Sequence, residues 1–241
     1  MNAWGITHTG KVREQNQDAY RIVRLGGDCL LGVVCDGMGG ALAGNVASEL
    51  AIESFLAAMK SGLESGSEAD CEALLKAATE QANETVYRRS NEDEACHGMG
   101  TTLVAALVAP GAIHIVNMGD SRGYVVDDKG IRRVTRDHSL VEDLVERGRI
   151  TPEEARQHPQ KNLITRALGV DEYAEADFFR LERAPGTCIL LCSDGLSNLL
   201  DADELFYELQ TEPADGCCNR LLEKALERGA PDNVTAVFVK L

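Results

Sequence analysis

The stretch TTLVAALVAPGAIHIVNMGD, residues 101–120, decides the fold class. Thr101 to Ala109 and Ala112 to Met118 are short apolar runs that read as buried strands. Pro110-Gly111 between them is a tight-turn pair, so the two runs predict an antiparallel hairpin. Outward from it, Leu30 to Cys35, Thr187 to Cys192 and Val234 to Val239 read as strands of the same kind, bounded by Gly, Asp or Pro. Gly123 to Val126 and Ile131 to Val134, around Asp127-Asp128-Lys129-Gly130, predict a second hairpin.

Helical segments separate these strands. Asn45 to Met59 carries Val46, Leu50, Ile52, Phe55, Leu56 and Met59 on one face. Ala69 to Arg89 and Ala214 to Leu226 repeat the pattern, so each is expected to lie on a sheet with its other face in water. The helices come in long blocks between hairpins rather than after every strand, which favours α+β layers over a doubly wound parallel sheet. Ser61 to Asp70 reads as a polar link. No repeat or domain boundary interrupts residues 1–241, which therefore read as a single domain. From Asp137 to Gly169 the character changes. Leu140, Leu144 and Val145 have helical spacing, and Thr151-Pro152-Glu153-Glu154 fits a capping box with proline at the first helical position. This stretch predicts a surface insertion of short helices, and such insertions often flank sites.

The formal net charge of −15 argues against binding nucleic acid or an anionic membrane through a broad basic face. An anionic substrate stays open, because bound cations reverse the local sign. No apolar run approaches the roughly 18 residues of a membrane span. Met1 to Lys11 lacks the features of a signal peptide, so a soluble cytoplasmic protein is expected. The eight cysteines form no C-x-x-C pair, and Cys29, Cys35, Cys188 and Cys192 sit in or beside strand-like runs. Reduced thiols packed as small hydrophobes are expected.

One pattern carries the chemistry. Val33-Val34-Cys35 leads to Asp36-Gly37, Val116-Asn117-Met118-Gly119 to Asp120, and Leu190-Leu191-Cys192-Ser193 to Asp194-Gly195. Asp232 stands two residues before the strand beginning at Val234. A single Asp-Gly after a strand is ordinarily a turn. Repetition at strand ends, which can share one rim, points to carboxylates that converge. Crowded carboxylates repel and raise one another's pKa, and hard divalent ions such as Mg²⁺ and Mn²⁺ relieve that repulsion with all-oxygen ligands. The adjacent glycines let backbone carbonyls approach. No H-E-x-x-H zinc arrangement occurs among the five histidines, and Gly37-Met38-Gly39-Gly40 lacks the G-K-[ST] of a P-loop. Near the start, Arg13 offers a planar fork suited to phosphate, with Asp18 five residues on, although such a pair near a terminus is ordinarily a surface ion pair.

Taken in order, Arg13-x-x-Asn16-x-Asp18, Val34-Cys35-Asp36-Gly37-Met38-Gly39-Gly40, Gly98-Met99-Gly100-Thr101-Thr102, Asn117-Met118-Gly119-Asp120-Ser121-Arg122, Asp137-His138-Ser139, Cys192-Ser193-Asp194-Gly195-Leu196 and Asp232-Asn233-Val234-Thr235 resemble the motifs of the bacterial type 2C protein phosphatases, the PPM family. The match runs from about Gly10 to Val237. The resemblance implies a central antiparallel β-sandwich with helices on both outer faces, an α-β-β-α layering of the α+β class. It implies two Mn²⁺ or Mg²⁺ ions at one end. Asp36 would bridge them, the Gly37 carbonyl would complete one shell, Asp194 and Asp232 would bind the first ion, and Asp18 the second through water. Asp120, with Asp194, would hold a third, weaker ion, although a simple turn-capping role paired with Arg122 stays open. Arg13 would grip the phosphate, and a water or hydroxide between the ions would attack phosphorus in line.

The implied reaction is hydrolysis of phosphoserine and phosphothreonine on proteins, opposing a Ser/Thr kinase, by a monomer whose partners are phosphoproteins. Residues 137–169 match the family's flap beside the active site. His138 and His158 are expected to be structural. The C-x5-R thiolate arrangement of tyrosine phosphatases is absent. The chain departs from the pattern at Ala41 and Asn45, where relatives carry His and Glu, and at Gln17, where Glu is usual. Those departures leave an alternative, a pseudophosphatase-type module that binds phosphoprotein with little turnover.

Overall fold

The computed structural model describes residues 1–26, 28–39, 43–64, 70–211 and 213–241. The strands are β1 Asn2–His8, β2 Asp18–Arg24, β3 Leu30–Met38, β4 Gly100–Thr101, β5 Leu103–Ala109, β6 Ala112–Met118, β7 Arg122–Asp127, β8 Gly130–Arg133, β9 Asp177–Glu182, β10 Cys188–Cys192 and β11 Val234–Lys240. The helices are α1 Ala43–Glu64, α2 Cys71–Glu92, α3 Leu140–Glu146, α4 Pro152–Gln157, α5 Asp194–Ser197, α6 Ala202–Gln210 and α7 Cys217–Glu227. One sheet runs β1-β11-β10-β7-β8 and the other β2-β3-β5-β6-β9, with β4 paired to β3. Every pairing is antiparallel.

Three apolar layers hold the sandwich. Leu30, Val34, Val104, Ile115, Leu191 and Val237 meet between the sheets. Alternate residues of the same strands, such as Leu31, Val33 and Cys35, face the other way onto Ala47, Ile52, Phe55 and Leu75 of α1 and α2. The opposite sheet turns Leu190, Cys192 and Phe238 onto Leu205, Leu221 and Ala225 of α6 and α7. Strands buried on both faces read as continuous apolar runs, which is why β3, β5, β6, β10 and β11 stand out in the sequence. All eight cysteines are reduced thiols, and six are buried as packing residues.

The sequence-based expectations hold for the hairpins and for the class, with differences at the margins. β3 continues through Asp36-Gly37 to Met38, so Asp36 lies within a strand rather than after one. Helix α1 extends through Glu64 into the expected polar link, whose residues 65–69 lie outside those described. The capping box at Thr151 and Glu154 is present, with Pro152 at the helix start. Among the described residues no helix is long and apolar enough to cross a membrane.

Candidate active site

The β2–β3 register sets Asp18 directly opposite Asp36. Two like charges in that relation oppose pairing, so something outside the ladder must favour them. The Asp36 backbone is pinned by its neighbours. Its N–H donates to Thr102 Oγ1 (2.9 Å), and its carbonyl accepts from the Thr102 N–H (2.9 Å) and from Thr101 Oγ1 (2.9 Å). Thr102 Oγ1 also meets Ser121 Oγ at 2.7 Å, tying Asp36 to the residue after Asp120. Gly37 accepts no side chain, because a Cβ there would stand 2.0 Å from the Gly44 carbonyl oxygen at the start of α1.

The other sheet delivers Asp194 and Asp232. Gly195 packs so closely on Asn233 that a Cβ would stand 1.9 Å from its carbonyl oxygen. The Ser193 N–H donates to the Thr235 carbonyl at 3.1 Å, so the turn after β10 and the start of β11 form one unit. Asn233 is the clamp for the N-terminal loop. Its Nδ2 donates to the carbonyls of Thr9 (2.8 Å) and Gln15 (2.9 Å), and its Oδ1 accepts from the Gln17 N–H (2.8 Å). That loop carries Arg13, whose guanidinium reaches Asp232 at 2.8 Å with 54% of its side chain still exposed.

Arg13, Asp36, Gly37, Asp120, Asp194 and Asp232 thus line one cleft of about 240 Å³. Asp18 lies buried behind it. One of its oxygens accepts from Ser193 Oγ (2.7 Å) and Thr235 Oγ1 (2.6 Å), and the other is buried with no hydrogen-bond partner. Burial pushes the Asp18 carboxyl up to about 7, against the two hydroxyl bonds that favour its ionised form. Burial, followed by the mutual repulsion of the cluster, also holds Asp36 and Asp120 well above the ordinary carboxylate range and raises Asp194. The hydrogen bond to Asp232 raises the Arg13 guanidinium.

Asp120 stands in the turn after β6. Its neighbour Gly119 is held from both sides by His138, whose Nδ1 accepts from the Gly119 N–H at 3.2 Å and whose own N–H donates to the Gly119 carbonyl at 2.9 Å. Arg122 does not turn to Asp120 but binds Asp137 through Nε and a terminal nitrogen, at 3.0 and 2.6 Å. His138 is buried, with Nε2 3.3 Å from Asp177, and His158 caps the end of α4; neither lines the cleft. The thiols beside the aspartates are no nucleophiles. Cys35 and Cys192 are fully buried, which pushes Cys192 up to about 12 and Cys35 higher still. Asn45 lies in the first turn of α1 with its Oδ1 buried and without a partner, while Ala41 falls outside the described residues.

Among the described residues no three His, Cys, Asp or Glu side chains already converge as a ready-made cage. Asp232 is turned onto Arg13 and Asp18 onto its hydroxyl pair. The donor set nevertheless fits a hard divalent cation. It is all oxygen, it crowds more negative charge than one arginine offsets, and it includes an orphaned buried carboxylate oxygen. Asn233, Ser193 and Thr235 were not assigned roles from sequence. Their signal was present in the motifs, but only the fold shows a side chain holding a distant loop.

A profile of protein phosphatase 2C matches residues 7–228. The serine/threonine phosphatase stp of Listeria monocytogenes serotype 4b is 36% identical over 100% of this chain and 96% of its own. The crystal structure of the Mycobacterium tuberculosis serine/threonine phosphatase PstP/Ppp is 38% identical, superposes with a TM-score of 0.89, and covers 100% of this chain and 98% of that one. The catalytic domain of PstP, solved in complex with two manganese ions, is 36% identical with a TM-score of 0.86 over 99% of this chain and 97% of that one. By its sequence motifs, its layered sandwich and these matches, the chain belongs to the protein phosphatase 2C family.

Proposed function

We propose that this chain is a metal-dependent phosphatase acting on phosphoserine and phosphothreonine of proteins, and so acts against a Ser/Thr kinase. The observation that carries the reading is a cleft where Asp36, Asp120, Asp194 and Asp232 face a single basic side chain, Arg13. Asp36, with the Gly37 carbonyl, would serve two Mn²⁺ or Mg²⁺ ions, Asp194 and Asp232 the first, and Asp18 the second. Asp120, with Asp194, would hold a third, weaker ion. Such ions, when bound, supply a nucleophilic water at neutral pH and offset phosphate charge. The relative solved with two manganese ions supports that metal class.

Arg13 orients the substrate. One guanidinium nitrogen engages Asp232, and the exposed remainder of the fork is open to phosphate oxygens. Asp232 thereby fixes the direction of the fork as well as supplying a ligand. Asn233 sets the distance between Arg13 and the carboxylates by clamping the loop at Thr9, Gln15 and Gln17. Among the described residues no imidazole lines the cleft, so protonation of the leaving oxygen falls to the Asp120 side. Residues 137–169 act as a flap, and Asn162 and Ile164 from it line the cleft.

The test is release of inorganic phosphate from phosphoserine, phosphothreonine and phosphotyrosine peptides by the full chain in Mn²⁺. Turnover of the first two and little of the third is expected. No turnover of either, with the folded state confirmed by circular dichroism, would instead favour a phosphoprotein-binding module.

A further inference from the structure

The cleft is not the largest hollow beside Asp120 and Asp194. Those two residues also border a groove of about 430 Å³ whose opposite wall is α3 and α4. Val141, Val145, Pro152 and Ala155 give that wall an apolar surface. The groove continues into a further hollow of about 390 Å³, and Arg122, Arg133, Arg156 and Lys161 border both.

These four cations are not equivalent. Arg122 is committed to Asp137 by paired hydrogen bonds, and Arg133 to Glu142 and Asp137. Arg156 and Lys161 are exposed and have no ion-pair partner among the described residues. Of the four acids that line the groove, Asp137 and Glu142 are spent on Arg122 and Arg133, and Asp120 and Asp194 lie on the rim proposed to hold the metal ions, so away from that rim Arg156 and Lys161 leave the groove a positive charge. A substrate chain leaving the cleft past Asp120 would enter this groove with its side chains between the apolar wall and those cations.

We propose that the groove receives the segment adjoining the phosphorylated residue, and that Arg156 and Lys161 select substrates with anionic side chains there. The proposal rests on the phosphatase reading above. An anionic flank gains two new charge pairs, whereas a basic flank meets like charge, so discrimination works by attraction and by repulsion. The pairs are solvent-exposed, which sets a modest size and makes them sensitive to salt.

The experiment compares the manganese-loaded full chain with the Arg156→Glu/Lys161→Glu double variant and with Arg156→Ala/Lys161→Ala. Three substrates are used: an aryl phosphate, a phosphoserine peptide with Asp and Glu flanks, and the same peptide with Ser and Ala flanks. The wild type is expected to favour the acidic peptide in kcat/KM by about five- to tenfold, falling toward unity as salt is added. The alanine variant should lose the preference and the glutamate variant should invert it, with aryl phosphate hydrolysis unchanged. An acidic-to-neutral ratio that is the same in all three proteins, with aryl phosphate turnover intact, would overturn the groove assignment and leave the phosphatase reading standing. Absence of aryl phosphate turnover in the wild type itself would overturn both.

Discussion

Asp120 and Arg122, two residues apart, belong to two charged regions built on opposite rules. On the Arg122 side four acids each have a base. Asp137 binds Arg122 and Arg133, Glu142 binds Arg133, and Asp143 and Glu146 both bind Arg136. On the Asp120 side, five aspartates counting the buried Asp18 share Arg13, and Arg13 reaches only Asp232. The first region is an ion-pair network that anchors residues 137–169. The second is self-repelling, and folding alone gives no reason to keep it. The difference teaches that removing a charge should have opposite consequences a few residues apart.

The largest effect is expected at the rim. Asp36→Asn or Asp194→Asn should lower kcat on the order of a thousandfold or more, because each would weaken the proposed metal centre. The metal-free variant should be at least as stable as the wild type, since a repelling charge is gone. Near-normal turnover in either variant would end the equivalence drawn between these carboxylates and a metal centre.

In the paired region the sign reverses. Asp137→Ala leaves the largely buried Arg122 without its carboxylate, and breaking such a pair costs roughly 3–5 kcal/mol. Chemical denaturation should show that loss, and a change within error would mean the network is no anchor. A narrower contrast concerns Asp120, which borders both regions. Asp120→Ala should lower kcat on a phosphoserine peptide about 10- to 100-fold more than on an aryl phosphate, because an alkoxide leaving group needs a proton and an aryl oxide needs it far less. Equal losses on both substrates, with the ion count unchanged in crystals soaked at high Mn²⁺, would leave Asp120 a turn residue. The smallest effect is expected for Arg13→Ala, which should raise KM for phosphoprotein about tenfold with a lesser change in kcat. An unchanged KM would remove its phosphate-gripping role.

Much of this arrangement was legible before the fold was known, and the exceptions share a cause. β5 and β6 were read from sequence because both faces are buried and the Pro110-Gly111 turn lies between them. β1, β2 and β9 were not, because they are edge strands with mixed, part-exposed patterns such as DAYRIVR and DFFRLE. The carboxylates were found by their places beside apolar runs, which is local information. The Asp18–Asp36 register, the Asn233 clamp and the commitment of Arg122 to Asp137 join residues far apart in the chain or depend on a side-chain direction. Spacing alone does not encode those. Ser193 and Thr235 likewise look like ordinary hydroxyl residues until the two sheets bring them onto Asp18.

The central claim is that the rim is an incomplete charge system that divalent ions complete. Thermal unfolding of the chelated chain, with and without Mn²⁺, tests it most directly. In the folded chain the Asp18 carboxyl holds its proton up to about 7. In the unfolded chain it releases it near ~3.9. The folded state therefore binds more protons between those values, and metal-free stability should fall as pH rises from about 4 through about 7. Asp36, Asp120 and Asp194, shifted in the same direction, act with the same sign. Mn²⁺ should raise the melting temperature, most strongly at the alkaline end, above the value near which Asp18 ionises. Superimposable melting curves with and without Mn²⁺ near pH ~8, above the value at which Asp18 ionises, would contradict the account.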